Sequence, residues 1–354
     1  MRWVRGSRPG REAKSKKEGA SECIYCRRTK PLGEFNREHV LPDAFGTFAG
    51  ALTVIHGVCT DCNQHFSQTL DFAIGRESME GFLRYQTGVR PTAEVKNFKV
   101  GNGLQFLLDE TGPEQGLLMK PIQGSDGTLG VDHVDQVRIE NLSTGSVAWY
   151  TRADLEHSDW AKRAEMGPDR RVTVYASEPS VRDRIVSALS SHGVRIKKWE
   201  HEEQPARPEQ VRVRMRVTVQ GEIMRAAAKI CFNYLARVWG NSVALESNFD
   251  VLRQYIRYDK RPPESLVFPS SKPIIAGETS SPADGRLMVH VVGLGFSRPE
   301  DLLVGQLSLF NLFQYRVVLA RNYSGDTKRP ASGHIYDIGN RRVILPSTLS
   351  LEAE

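Results

Sequence analysis

The chain has 354 residues, and its 48 lysines and arginines outnumber its 42 aspartates and glutamates to give a net charge of +6. A hydrophobic fraction of 40% with 25% charged residues is ordinary for a folded protein and excludes wholesale disorder. The length suits about two or three domains. Because the sequence has no long apolar run and no apolar stretch near Met1, we expect no membrane span, no secretory signal and a cytoplasmic protein.

The positive charge is concentrated at the N-terminus. Residues 1–20 contain seven basic and two acidic side chains, a net of +5, so residues 21–354 carry the remaining +1. A basic segment with glycine and serine is typical of a nucleic-acid-binding arm, and equally of a solvated terminus without fixed structure. Both interpretations of this flexible basic tail stay open.

Four of the five cysteines form two pairs with the same spacing, Cys23-x-x-Cys26 and Cys59-x-x-Cys62. Two intervening residues allow each pair to direct two thiolates at one tetrahedral ion, so the pairs together predict a structural zinc site. Disulfides and redox-active pairs are the alternatives. The expected absence of a secretory signal argues against the first, and the matched spacing argues against the second. Cys231 is expected as a small core residue.

The segment between the cysteine pairs places an acid beside an imidazole. Glu38 and His39 are followed by Pro42, which predicts the end of a short strand and a turn. Asn63 follows the fourth cysteine and begins a helical pattern, in which we expect Asp71 to be a solvated or capping residue. Zinc would fasten the strand to the helix and bring Glu38, His39 and Asn63 together. Carboxylate and amide oxygens suit Mg²⁺ or Mn²⁺, and a nearby histidine can deprotonate water for attack on phosphorus.

The order C-x-x-C, E-H-V-L-P, C-x-x-C-N over residues 21–90 resembles the HNH endonucleases with a four-cysteine zinc site, which belong to the ββα-metal superfamily. The resemblance implies that His39 is the general base, and that Glu38 and Asn63 bind the catalytic Mg²⁺ or Mn²⁺. Zinc then only holds the scaffold. The resemblance also suggests DNA as the substrate, with RNA not excluded, and a role in bacterial restriction or phage defence. It leaves open a homo-oligomer or a defence-system partner protein.

One part of the family pattern is missing. HNH endonucleases carry an asparagine a few residues before the third cysteine, where it orients the catalytic histidine. The corresponding residues here, 52–58, include no asparagine. Either Thr53, His56 or a backbone carbonyl orients His39, or the module has little or no activity.

The remainder of the chain mixes strand and helix patterns. Short strand-like runs begin at residues 93–100, a strand and a helix are predicted at 171–176 and 181–189, and 222–239 has the apolar spacing of a core helix. Apolar runs near the C-terminus indicate further antiparallel strands. The predicted fold class is therefore α+β, with a small zinc-stabilised ββα-metal module followed by a larger mixed body.

The predicted domain organisation has three parts. Residues 1–20 form the tail, 21–90 the HNH module, and 91–354 the body, which divides near 170–200 where the pattern changes. The body is a candidate target-binding or sensing region.

The body offers two basic groups that would suit nucleic acid. Arg212, Arg214 and Arg216 alternate with apolar residues, so a strand would place them on one face as a row of phosphate contacts. An exposed strand face that charge keeps from aggregating is the alternative. Arg257 stands beside Tyr258, a pairing that suits a single strand or a backbone contact.

The sequence thus predicts a metal-dependent HNH endonuclease that hydrolyses phosphodiester bonds in DNA. Two alternatives stay open, namely a non-catalytic zinc module that binds nucleic acid, and a nuclease gated by a ligand- or partner-sensing C-terminal body. Residues 21–90 hold seven basic and eight acidic side chains. We therefore expect the tail and the arginine row to hold the DNA.

Overall fold

The computed structural model describes residues 19–100, 103–109, 111–156, 169–194, 211–271, 274, 288–297 and 301–345. The predicted basic tail lies outside these residues except for positions 19 and 20. The helices are α1 (Thr60–Gln68), α2 (Leu70–Arg76), α3 (Met79–Gln86), α4 (Arg152–Leu155), α5 (Pro179–Ser191), α6 (Gly221–Trp239), α7 (Asn241–Ala244) and α8 (Asp250–Tyr258). Short 3-10 helices lie at Leu32–Glu34, Asp43–Phe45, Thr92–Asn97 and Ser247–Phe249.

The strands form antiparallel sheets. In chain order they are β1 (Ala20–Glu22), β2 (Thr29–Pro31), β3 (Phe35–His39), β4 (Thr53–Cys59), β5 (Leu104–Leu108), β6 (Leu118–Gln123), β7 (Leu129–His133), β8 (Gln136–Asn141), β9 (Val147–Thr151), β10 (Arg170–Tyr175), β11 (Val213–Val217), β12 (Val267–Ser270), β13 (Val289–Ser297), β14 (Leu302–Leu309), β15 (Phe313–Arg321), β16 (Ser332–Asp337) and β17 (Arg342–Ile344).

The N-terminal module is a hairpin followed by a helix. Strands β3 and β4 pair with His39 opposite Thr53, and α1 begins at Thr60, directly after β4. Asn63 therefore lies in the first turn of α1, beside the strand end that carries His39. After that strand end, Pro42 starts the 3-10 turn Asp43–Phe45, as the sequence predicts. This ββα arrangement confirms the predicted α+β class with an N-terminal module of this kind.

Helix α6 lies at the centre of the molecule. It packs against α2 and β4 of the module and against β13, β14 and β15 of the body. Nearly every residue from Ile223 to Ala236 is buried, because the helix has protein on all its sides. One hydrophobic core consequently runs from the cysteine-bearing loops through α6 to the six-stranded sheet, whose order is β12-β15-β14-β13-β16-β17. In the described part of the chain, no helix is both long and apolar enough to cross a membrane.

A smaller second core lies between α5 and the sheet β10-β8-β9. Its buried residues are Val137, Ile139, Tyr150, Leu155, Val181, Ile185, Leu189 and Val194. The division points predicted at residue 90 and near 170–200 stay predictions.

The strand predicted at residues 93–100 is wrong, because Thr92–Asn97 is a 3-10 helix. The N–H groups of Glu94 and Phe98 donate to the carbonyls of Pro91 and Val95, three residues back in each case. Val95 and Phe98 are buried at the same spacing of three, which is the repeat of a 3-10 helix and not the alternation of a strand.

Candidate active site

The four paired cysteines come together at one point. All four Sγ atoms lie within 4.8 Å of one another, and Cys26 Sγ is 3.8 Å from Cys59 Sγ. A tetrahedron of sulfurs around zinc, with Zn–S bonds of about 2.3 Å, has edges of about 3.8 Å. All four are free thiols, and the Cys59 N–H donates to Cys23 Sγ over 3.4 Å. The donor set and its spacing therefore fit a structural zinc ion.

Glu38 lies in a buried cluster of charged and amide groups. Only 6% of the residue is exposed, and its Oε1 is 2.6 Å from Lys229 Nζ. The Asn63 amide donates to Oε2, and Asn233 Nδ2 donates to Oε1 over 3.3 Å. Lys229 Nζ also lies 2.9 Å from each carboxylate oxygen of Asp71. The expectation that Asp71 is a solvated or capping residue is therefore wrong, since it pairs with a lysine of α6.

The lysine in this cluster keeps its charge. Burial disfavours the ammonium, but the carboxylates of Asp71 and Glu38 outweigh that effect and hold the pKa of Lys229 above its usual range. Two carboxylates then face one ammonium. Burial raises the pKa of Asp71, so the formal count of two carboxylates against one ammonium is the upper limit of the cluster's negative charge.

His39 stands at the end of β3 with its imidazole partly exposed. Its Nδ1 is 2.8 Å from Asp43 Oδ1, a carboxylate of the 3-10 turn after Pro42. Histidine with Nδ1 tied to a carboxylate presents Nε2 as the free nitrogen. Among the described residues, Asp43 is thus the partner of the Nδ1 atom of His39. The sequence offers Thr53, His56 or a backbone carbonyl for this contact, or a module with little or no activity, and a catalytic role for His39 stays a prediction.

A cleft of about 500 Å³ is lined by Glu38, His39, Asp43, Asn63 and Asp71, but not by Lys229 or Asn233. Arg84 is buried in its wall and donates to the carbonyls of Gly81 and Ala44 over 3.0 and 3.1 Å. Arg37 and Arg76 are exposed. The cleft thus brings arginines close to His39, but four carboxylates (Glu38, Asp43, Asp71 and Glu94) line it as well, so its lining has no excess of positive charge. Its basic lining residues are Arg37, Arg76, Arg84 and Arg90.

The arginines predicted from the sequence lie elsewhere. Arg212, Arg214 and Arg216 are exposed on and beside β11, whose described pairing partner is β5, and Arg214 forms an ion pair with Asp109. None of them is among the described residues that line the cleft. Arg257 of α8 is not among the described residues that line the cleft either. A role for these arginines in binding nucleic acid stays a prediction.

Sequence reasoning did not identify three residues of the site, namely Asp43, Lys229 and Asn233. Asp43 follows His39 closely, but its contact depends on how the chain turns at Pro42. Lys229 and Asn233 carried the stronger signal, because they are polar residues inside an apolar helix pattern. A buried polar residue needs a partner, so each indicates a specific contact.

Replacing Cys59 by serine should abolish zinc binding, because three thiolates and a hydroxyl are a much weaker donor set for the ion. Metal analysis of the purified protein should give about one zinc per chain for the unaltered protein and far less for Cys59→Ser. Cys231→Ala, which changes a cysteine buried in α6, should keep the zinc. Equal zinc content in all three proteins would contradict the assignment.

Comparisons with known proteins agree with this geometry over the first part of the chain. Residues 23–79 match a family model described as HNH endonuclease. The matched range begins at the first paired cysteine and includes β3, β4, α1 and α2, so it contains the cysteine cluster, Glu38, His39 and Asn63. Searches of curated proteins and of solved structures gave no match. The chain therefore carries a module of the HNH endonuclease family at its N-terminal end, followed by a larger strand-rich body.

Proposed function

We propose that the protein is a metal-dependent endonuclease that hydrolyses phosphodiester bonds in DNA, with His39 as the general base. The observation that carries the proposal is the pairing of His39 Nδ1 with Asp43 at the wall of an arginine-lined cleft, next to Glu38 and Asn63. Restriction or phage defence, which the family resemblance suggests, is the context in which we would first look for a substrate.

His39 acts on water in this proposal. With Nδ1–H donating to Asp43, the lone pair of Nε2 accepts a proton from a water molecule, and the resulting hydroxide attacks phosphorus. Asp43 keeps the imidazole in the required tautomer and stabilises the imidazolium that forms. The proton is then released to solvent, to which the imidazole is 35% exposed.

Glu38 and Asn63 are the residues that would hold the catalytic divalent ion. Asn63 donates to Glu38 through Nδ2, which leaves its amide oxygen for a cation, and Glu38 Oε2 has a second lone pair. Both donors are hard oxygens of the kind that Mg²⁺ and Mn²⁺ take, so the residues present fit the ion. Such an ion, when bound, would neutralise the charge that develops on the leaving oxygen.

The cleft arginines would bind the phosphates on either side of the cleaved bond. Guanidinium groups suit phosphate because their donors match its oxygens in pairs. Arg37 and Arg76 are exposed and line the same cleft as His39. DNA would then be held next to the catalytic groups, with the tail and the β11 arginines as additional contacts.

A non-catalytic nucleic-acid binder is the competing class of function. Its support in the sequence is the missing asparagine that should orient His39. The contact from Asp43 supplies an orienting group and so favours the enzyme.

Replacing His39 by alanine should lower the rate of plasmid cleavage about 100-fold or more in Mg²⁺ or Mn²⁺, because the water loses its base. Nicked and linear products on a gel measure the rate. His192→Ala, which alters the residue directly after α5, should cleave like the unaltered protein. Equal activity of His39→Ala and the unaltered protein, or no activity in either with any divalent ion, would overturn the proposal.

Asp43→Asn should lower the maximal cleavage rate about 10- to 100-fold, since groups that orient a functional histidine have effects of that size. The affinity for DNA should change little, because Asp43 is not proposed to contact phosphate. Asp183→Asn, at an exposed aspartate of α5, is the matched control. A rate equal to that of the control would show that Asp43 does not orient the base.

The two sets of arginines can be compared directly. In a His39→Ala background, Arg37→Ala with Arg76→Ala should weaken duplex binding and reduce the slope of log K against log salt by about 0.9 for each phosphate that the protein no longer neutralises. A matched variant replaces Arg212, Arg214 and Arg216 by alanine. If only this second variant binds the duplex more weakly, the DNA is held on β11 and not in the cleft.

A further inference from the structure

Helix α6 reaches the nuclease site from a distant part of the sequence. Lys229 and Asn233 lie one helical turn apart and both are fully buried. Asn233 is 195 residues from Glu38, yet it donates to that carboxylate. The site residues of the HNH module are therefore in contact with two side chains that the body supplies.

The side-chain amide of Asn233 both donates and accepts hydrogen bonds. Its Nδ2 lies 3.3 Å from Glu38 Oε1 and 3.3 Å from the main-chain carbonyl of His39, so it holds the strand end that carries both residues. Its Oδ1 accepts a hydrogen bond of 2.7 Å from the hydroxyl of Tyr25. Tyr25 lies between Cys23 and Cys26, so a continuous series of contacts joins the cysteine cluster to the two site residues through one amide of α6.

Lys229 fixes the opposite side of Glu38. Its ammonium is 2.6 Å from Glu38 and 2.9 Å from Asp71, and it lies 5.6 Å from the centre of the Phe66 ring. Without it, two carboxylates would share a buried region with no counter-charge, and repulsion would move them apart. With it, Glu38 has a single orientation, held by one donor from the module and two from α6.

We propose that Lys229 and Asn233 are positioning residues of the nuclease site, so that the body helix α6 completes a catalytic centre that the HNH module does not form by itself. The inference rests on the proposed function, because it assigns α6 a part in that same reaction. Lys229 fixes the orientation of the Glu38 carboxylate that the reaction requires, and it offsets one carboxylate of the pair.

A pair of full-length variants separates this role from simple stabilisation. Asp71→Asn keeps the contact between Lys229 and Glu38. Asp71→Asn with Lys229→Met removes that contact but restores the cluster's original net charge of one negative unit, so no uncompensated pair of carboxylates is left buried. Lys260→Met changes an exposed lysine after α8 and serves as the control. Asn233→Ala tests the amide separately.

Three quantities are measured for each protein, namely the thermal midpoint, the calorimetric affinity for Mn²⁺ in the zinc-loaded protein, and the cleavage rate at saturating Mn²⁺. The double variant should bind Mn²⁺ at least as tightly as Asp71→Asn, because the competing ammonium is gone, yet it should cleave at least tenfold more slowly. Asn233→Ala should keep its zinc and cleave at least tenfold more slowly. A role in stability alone would lower the midpoint and leave the cleavage rate of the folded protein unchanged.

The inference is overturned if the double variant cleaves at the rate of Asp71→Asn and Asn233→Ala cleaves at the rate of Lys260→Met. Failure of the proposed function would look different. In that case the unaltered protein would show no cleavage, or His39→Ala would cleave as fast as the unaltered protein. If one variant does not fold, the other decides the matter, since each removes a different contact to Glu38.

Discussion

The ammonium of Lys229 is fully buried between the carboxylates of Glu38 and Asp71, and the position of the candidate site depends on it. A charge without water needs partners within contact distance, and removing one partner of such a pair costs about 3–5 kcal/mol. The partners here come from β3, α2 and α6. The helix cannot move away from the module without leaving this charge unpaired, and the apolar core that module and body share holds α6 in the same place.

Through α6, the body is in direct contact with the residues of the candidate site. The six-stranded sheet packs on α6, and α6 contacts Glu38 and the carbonyl of His39. Any displacement of the helix by a ligand or a partner protein would carry these contacts with it. A sensing role for the body, one of the alternatives that the sequence leaves open, would therefore have a physical route to the candidate site that needs no separate linker or lid.

Local sequence patterns predicted the module, but they could not predict contacts between residues that are distant in the chain. The cysteine spacing, the turn at Pro42 and the start of α1 each depend on a few neighbouring residues and were predicted from them, whereas the ββα order came from the family resemblance. Asp43 was missed because its reach to His39 depends on the geometry of the 3-10 turn. No periodicity could indicate that Lys229 packs against Glu38. The strands β7 and β16 also escaped prediction, because half-buried strands contain few apolar residues to reveal an alternation.

The most direct measurement is a crystal structure of the full chain with Mn²⁺, in which anomalous scattering locates each metal ion. The account predicts a zinc signal at the four cysteines and one manganese signal in the cleft, beside the oxygens of Glu38 and Asn63. Lys229 should stay in contact with Glu38 and Asp71 in that structure. A cleft without manganese, or a manganese ion bound only after Lys229 has left both carboxylates, would contradict it.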